Sequence, residues 1–461
     1  MHLSKRLWLP DFLYWDGTLR ADLALAVGED GRVTGVVPAA DAAGAVRLTR
    51  QVILPGLVNA HSHAFQRLIR GRTEYVATGQ ERDDFWSWRE LMYRAAQTLE
   101  PDDVYAVSRQ AFLEMALAGI TAVGEFHYLH HGPEGQPYAD RAELAKQVIR
   151  AARSVGIRIT LLRVAYGRAG FQAPENPRQR RFIDPSVDDI LSDVEALRTA
   201  TAADPLVSVG IAPHSVRAVP RDWLQALASV KAGVVHMHLA EQPAEIDACL
   251  REHGKRPVEL VAELGLLGPR FTGVHAIHLS DAEVRAFGES GSNVCACPST
   301  ERNLGDGVVA ADALLKAGAT MALGSDSQAT IDLLDEARQL ESHLRLVRQR
   351  RAVLDPGKGE PDGLGRRLFE VATVGGARSL GIETGALKPG APADFLSVDL
   401  DHPSLVGATP DTLLSSIVFG AAAGSVRQVC VAGRNIVSAG RHPLRAEVSR
   451  EFKNVVKRVF G

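Results

Sequence analysis

The run Leu54–Gln66, LPGLVNAHSHAFQ, opens on Pro-Gly, stays apolar, and ends in two histidines spaced two apart, His61 and His63. Residues i and i+2 of a strand project to the same face. Read as a strand, the run delivers both imidazoles on one side of its C-terminal end. There they could share a metal or pack as core histidines, and what else arrives at the same place decides between the two.

Working outward, apolar or β-branched runs recur at VILPGLVNAHSH, ITAVGEFHY, RITLLRVAY, LVSVGIAPHSV, GVVHMHLAEQ, FTGVHAIHL, SNVCACPST and TMALGSDSQA. Helical patterns separate most of them. PDDVYAVSRQAFLEMALAG, for example, has apolar residues at i, i+3 and i+4 and a glycine stop. Strand then helix, repeated eight times, is the pattern of a (β/α)8 TIM barrel in the α/β class. The flanks differ. RADLALAVGEDGRVTGVVP reads as a hairpin turning at EDG, and GAPADFLSVDLDHP and SVRQVCVAGRNIVSAGRHPL read as strands. One small β domain assembled from both termini is therefore expected, with residues 1–53 and 385–461 contributing to it and 54–384 forming the barrel. Two long stretches, RLIRGRTEYVATGQERDDFWSWRELMYRAA after the first strand and GRAGFQAPENPRQRRFIDPSVDD after the third, are candidate substrate loops over the barrel's C-terminal face.

Composition narrows the function classes. The 461 residues are 46% hydrophobic and 23% charged, and 52 Lys+Arg against 55 Asp+Glu give a net charge of −3. No basic block with interleaved aromatics points to nucleic acid, and no stretch of about 20 apolar residues points to a membrane span. Cys249, Cys295, Cys297 and Cys430 form no CxxC pair and no disulfide framework. The N-terminal MHLSKRLWLPDFLYWDG has no apolar signal-peptide core. A cytoplasmic protein is expected.

Polar residues gather where the strands end: His61 and His63 on the first, EFHYLHH on the second, His214 and Arg217 on the fourth. His236, His238 and Glu241 follow from the fifth, His275 and His278 from the sixth, and Asp326 from the eighth. A single strand histidine is most simply a packed core residue. So many imidazoles converging on one barrel mouth would each incur a desolvation cost if they were only structural. A metal site accounts for them, and imidazole with carboxylate suits Zn²⁺, with Fe²⁺ second. His61 and His63 share a face, as do His236 and His238, and Asp326 can supply the carboxylate. The fourth strand holds no lysine that could bridge two metals, so one metal per chain is expected.

PGLVNAHSH, HMHLAEQ, VHAIHL, CPSTERNLGDG, LGSDSQ and GALKPGAPADF, in this order, resemble the amidohydrolase superfamily, specifically its mononuclear deaminase branch. The resemblance implies a barrel carrying a β-sandwich. Within the branch, AFQR, FWSWRE, EFHYLHH, PHSVRAV and STERNLGDG are most similar to the formimidoylglutamate deiminases. That likeness implies hydrolysis of N-formimino-L-glutamate to N-formyl-L-glutamate and ammonia, in histidine degradation, by metal-bound hydroxide. His61, His63, His238 and Asp326 match the metal ligands, Glu241 the proton shuttle, and His275, with Asp326, a group acting on the hydroxide. Gln66, Arg89, Tyr128, His214 and Arg217 match positions that bind a small substrate with two carboxylates, which call for arginine forks. His127, His130 and His131 are read as solvent-facing or supporting residues, His236 and His278 as structural. Cys295 and Cys297 are read as buried small hydrophobes. A homodimer is implied by the resemblance alone. The rival readings are a deaminase acting on a guanine- or cytosine-like ring, and a barrel kept as a non-catalytic scaffold.

Overall fold

In the computed structural model, which describes residues 6–76, 85–174, 176–422 and 424–461, two sheets of eight strands each organise the chain. The middle of the first candidate loop (77–84) and residue 175 of the second lie outside the described residues. One sheet is the barrel. Its strands, in chain order, are Leu57–Ser62, Ile120–His127, Arg158–Ala165, Val207–Pro213, Val235–Leu239, Phe271–His275, Asn293–Ala296 and Thr320–Leu323. Each pairs in parallel with the next. Ile120–His127 and Arg158–Ala165 are buried along their whole length on both faces, as parallel strands covered by helices must be.

A bridge between Ser62 and Asp326 joins the first strand to the chain just beyond the eighth. Across it the Asp326 amide donates to the His61 carbonyl and the His63 amide to the Asp326 carbonyl, both at 3.0 Å. The helix expected after the first long loop runs Pro101–Leu117. A reciprocal cap between Glu100 and Asp103 and a proline in its first turn start it, and Gly119, at φ +87°, follows its end. Phe112, Phe126 and Phe287 lie wholly inside the core; truncating any of them to alanine costs about 3–5 kcal/mol.

The second sheet takes strands from both termini. Val46–Pro55 pairs in parallel with Arg6–Trp15 and antiparallel with Phe395–Asp399, and Trp8, Leu13, Leu25, Ile53 and Phe395 pack within it. This is the β-sandwich part expected beside the barrel.

Two local readings change. VILPGLVNAHSH is two strands in two sheets: Val46–Pro55 belongs to the terminal sheet and Leu57–Ser62 to the barrel. The break falls at Gly56, whose amide donates to the Asp394 carbonyl at 3.0 Å. A Cβ there would stand 2.2 Å from the Thr121 hydroxyl, so only glycine lets the chain pass. The far C-terminus also ends in a helix, Arg445–Phe460, which the strand-like texture before it did not announce. It docks on Pro101–Leu117 through Arg109, which reaches Glu447 at 2.8 Å and Glu451 at 2.6 Å.

Candidate active site and metal centre

At the C-terminal mouth of the barrel the Nε2 atoms of His61, His63 and His238 stand 3.1–3.3 Å from one another. Asp326 Oδ1 lies 3.2 Å from His61 Nε2 and 3.1 Å from His63 Nε2. Backbone carbonyls behind the rings fix which nitrogen faces inward. His63 Nδ1 donates to the Phe126 carbonyl at 2.9 Å, and His238 Nδ1 to the His214 carbonyl at 3.1 Å. A carbonyl only accepts, so both neutral rings present a bare Nε2 lone pair to the centre.

Burial drives the His61 imidazole down to about 3 and His238 well below its usual value, so neither is charged at neutral pH. Burial alone would push the Asp326 carboxyl up, but the adjacent His61 and His63 imidazoles hold it well below the usual range. Lone pairs and a carboxylate pointing at one another repel unless a cation lies between them. Ligands at 2.0–2.1 Å in a tetrahedron are spaced roughly 3.3–3.4 Å apart, close to the separations here. The donor set fits a divalent metal.

His275 lies beside this cluster with its ring stacked on His238, centroids 5.6 Å apart. Its Nε2 is 3.6 Å from Glu241 Oε1 and 3.8 Å from Asp326 Oδ2, and its Nδ1 is 3.3 Å from Glu301 Oε1. Burial opposes a charged His275, yet Glu241, Glu301 and Asp326 together raise its pKa well above the ordinary value. Backbone strain concentrates here as well: Ala240, His275, Ala276, Asp326 and Gln328 all have positive φ, between 45° and 68°. For residues with a side chain this conformation is costly and is kept where the surroundings impose it.

A cavity opens over the cluster, lined by His63, Gln66, Trp88, Arg89, Met92, Tyr93, Tyr128, Tyr166, His214, Arg217, His238, Glu241, His275, Leu304 and Asp326. Every site residue read from the sequence is on this wall except His61, which lies beneath it and closes the cluster. Gln66 Nε2 donates to Tyr128 Oη at 2.7 Å, leaving Gln66 Oε1 buried without a partner among the described residues. Arg89 Nε and Arg217 Nε and Nη1 are likewise buried with no acceptor among the described residues. Arg89 is held over the Trp86 and Tyr93 rings at 4.5 and 5.4 Å. His214 packs against Tyr166, ring centroids 4.7 Å apart.

Other readings are refined. His127, His130 and His131 are buried rather than solvent-facing: His130 Nε2 contacts the Val164 carbonyl and Arg163, and His131 lies 3.9 Å from Asp184. His236 sits deeper in the barrel on the Ser379 carbonyl at 2.8 Å, and His278, past the strand end, on that of Asp306 at 3.0 Å. Cys297 keeps company with His275 and Glu301 at ligand-like spacing, but burial raises its thiol pKa well above normal, so it stays protonated.

Sequence reasoning missed Trp88, Met92, Tyr93 and Tyr166. The loop segment Phe85–Gln97 is a helix, on which Arg89, Met92 and Tyr93 follow the i, i+3, i+4 spacing of one face. Tyr166 obeys the same strand-mouth rule as the histidines. A larger cleft, bordered by Trp8, Gly31, Asp204 and Ile436 at the barrel's opposite end, contains no buried unpartnered side-chain polar atom among the described residues.

The model of the "Amidohydrolase family" matches residues 52–436. The formimidoylglutamate deiminase of Pseudomonas aeruginosa is 41% identical over 456 residues, which cover 98% of each chain. A crystal structure of an amidohydrolase from Brucella melitensis superposes with a TM-score of 0.91 at 35% identity, covering 99% of this chain and 100% of that one. An adenosine deaminase from Xanthomonas campestris, solved with bound zinc, shares the fold with a TM-score of 0.82 at 24% identity, over 99% and 98% of the two chains.

Proposed function

This chain belongs to the amidohydrolase family, and from that premise we propose that it hydrolyses N-formimino-L-glutamate to N-formyl-L-glutamate and ammonia, a step of histidine degradation. One observation carries the choice of substrate. The cavity that holds the three-histidine, one-aspartate cluster also holds two arginines, Arg89 and Arg217, whose buried N–H groups have no acceptor among the described residues. A substrate with an electrophilic amidine carbon and two carboxylates complements both halves. A neutral purine or pyrimidine would leave the guanidinium groups unanswered.

His61, His63, His238 and Asp326 are the residues that would hold the metal, and zinc is the ion proposed, with iron(II) second. When bound, such an ion supplies Lewis acidity and lowers the pKa of water towards 7. The protein's own groups do the rest. Glu241, buried in the cavity, takes a proton from the attacking water and returns it to the departing nitrogen, so ammonia leaves rather than amide anion. His275, within 4 Å of Glu241 and Asp326, orients that water and stabilises charge developing beside it. Asp326 takes part in the proton transfer through its second oxygen, which faces His275. Gln66 Oε1, left without a partner by the Tyr128 contact, accepts from the formimino N–H. Tyr128 and His214 line the passage between the cluster and the arginines, and Arg89 and Arg217 take the carboxylates.

Ammonia release from N-formimino-L-glutamate, measured beside guanine and cytosine, tests the proposal: turnover of the first alone is expected. No turnover of it overturns the assignment. The proposal includes a cytoplasmic homodimer. The four cysteines are buried and unpaired, as suits a reducing compartment, and no helix among the described residues is long and apolar enough to cross a membrane. Light scattering on the purified chain tests the dimer.

A further inference from the structure

Two phenols on the cavity wall have no part in the roles assigned above. Tyr93, on Phe85–Gln97, and Tyr166, one residue past the third barrel strand, both line the cavity and are buried. The amide of Gln179, from the second long loop and 1% exposed, sits between them. Its Nε2 donates to Tyr93 Oη at 2.8 Å and Tyr166 Oη at 2.7 Å, and stands 3.3 Å from the Ala169 carbonyl. That carbonyl can only accept, which fixes the end of the amide that faces the phenols.

An amide NH₂ has two protons to share among these three acceptors, and it accepts nothing in return. Neither phenol can therefore give its proton to Gln179, and each must send it elsewhere. One phenol can pass its proton to the other, but then the second still has an O–H to place. At least one hydroxyl is left to donate into the cavity. Burial holds the Tyr166 phenol well above its usual pKa, so it stays a neutral donor.

The neighbours on this wall are donors too. Arg89 Nε and Arg217 Nε and Nη1 are buried without acceptors among the described residues, and the Arg89 guanidinium lies 5.4 Å over the Tyr93 ring. A wall of cations and oriented hydroxyls is answered only by a group that accepts several hydrogen bonds and carries negative charge. We infer that Tyr93 and Tyr166, turned into hydrogen-bond donors by Gln179, complete with Arg89 and Arg217 the seat of a substrate carboxylate. This rests on the proposed reading of the substrate as a dicarboxylate amidine. Tyr93 and Tyr166 touch the substrate, whereas Gln179 is a positioning residue that acts through them.

The test uses the full-length metal-loaded enzyme and Tyr93→Phe, Tyr166→Phe, the double variant, Gln179→Leu and the triple variant. Steady-state kinetics on N-formimino-L-glutamate should show KM raised about tenfold in the double variant and in Gln179→Leu, with kcat changed less than about threefold, as for lost binding that is equal in ground and transition states. Gln179→Leu should add nothing on the double-Phe background, because the groups it orients are gone. Formimino-glycine keeps only the α-carboxylate, and 4-(formimino)aminobutyrate only the distal one. The variants should lose discrimination against one of these, which identifies the carboxylate seated here.

Unchanged KM in the double variant, or a Gln179→Leu effect fully additive with it, overturns the inference. Calorimetry with N-formyl-L-glutamate keeps the two failures apart. If the wild type turns over no N-formimino-L-glutamate, the activity reading falls, and equal affinity of wild type and double variant for this ligand still decides against the seat.

Discussion

His275 Nε2 and Glu241 Oε1 face each other across 3.6 Å, next to a cluster built to neutralise a cation's charge. The pair couples a group that can hold a proton to one that can give it, and neither belongs to the four-residue cluster. Glu241→Gln should therefore retain one equivalent of metal and lose turnover by roughly 10²–10⁴-fold, the usual worth of general acid–base catalysis. Metal analysis of the purified variant beside its kcat checks this. Full activity would remove Glu241 from the proton path.

Arg217 is buried, with its Nε and Nη1 unpartnered among the described residues. Arg217→Lys keeps the charge but removes the planar fork, so KM for the dicarboxylate should rise by about 10–100-fold while kcat falls less. Arg89→Lys should behave alike. A variant with unaltered KM would place the carboxylates elsewhere.

Removing the metal should cost more than activity. Three inward-facing imidazoles and Asp326 are held within 3.1–3.3 Å contacts that repel once the cation is gone. Dialysis against a chelator should lower Tm by several degrees, and stoichiometric zinc should restore it, since a ligand that binds only the native state stabilises it. Differential scanning calorimetry provides the measurement. An unchanged Tm would mean the cluster is stable empty.

Glu336 gives a pH signature away from the cavity. Wholly buried, its carboxyl is pushed up to about 8 by burial, despite hydrogen bonds from the Ser299 amide and hydroxyl. The folded chain thus holds a proton that the unfolded chain releases near 4.5, so this group costs stability as pH rises from about 4.5 to about 8 and nothing further above that. Glu336→Gln should flatten the fall in Tm over that window. Parallel slopes for variant and wild type would show that the carboxyl ionises freely in the fold.

The histidine pairs were legible because a strand repeats every two residues and every barrel strand delivers its last side chains to one rim. That rule brought His61, His63, His238, His275 and Asp326 to the rim, and the family resemblance set them apart from His236 and His278. Arg89 and Arg217 were legible through the resemblance, whose implied substrate carries two carboxylates for them to hold. Tyr93 and Gln179 were not, since their meeting depends on how two loops, far apart in sequence, fold over the same rim. Gly56 was hidden for another reason: an apolar run reads the same whether it stays in one sheet or crosses between two. The C-terminal helix has an amphipathic pattern of its own, but its docking partner, Pro101–Leu117, lies over 300 residues earlier.

The seam at Ser62 and Asp326 has a consequence for biosynthesis. Three of the four cluster residues, His61, His63 and Asp326, flank the one junction where the first strand meets the chain after the last. Ring closure and assembly of the cation site are therefore a single event that waits for the far end of the barrel to emerge. A nascent chain halted before that point presents two or three histidines and no carboxylate, and so a weak trap for any metal. A cation held there would act as a clasp on the longest-range strand contact of the barrel, where loop closure between strands costs the most entropy.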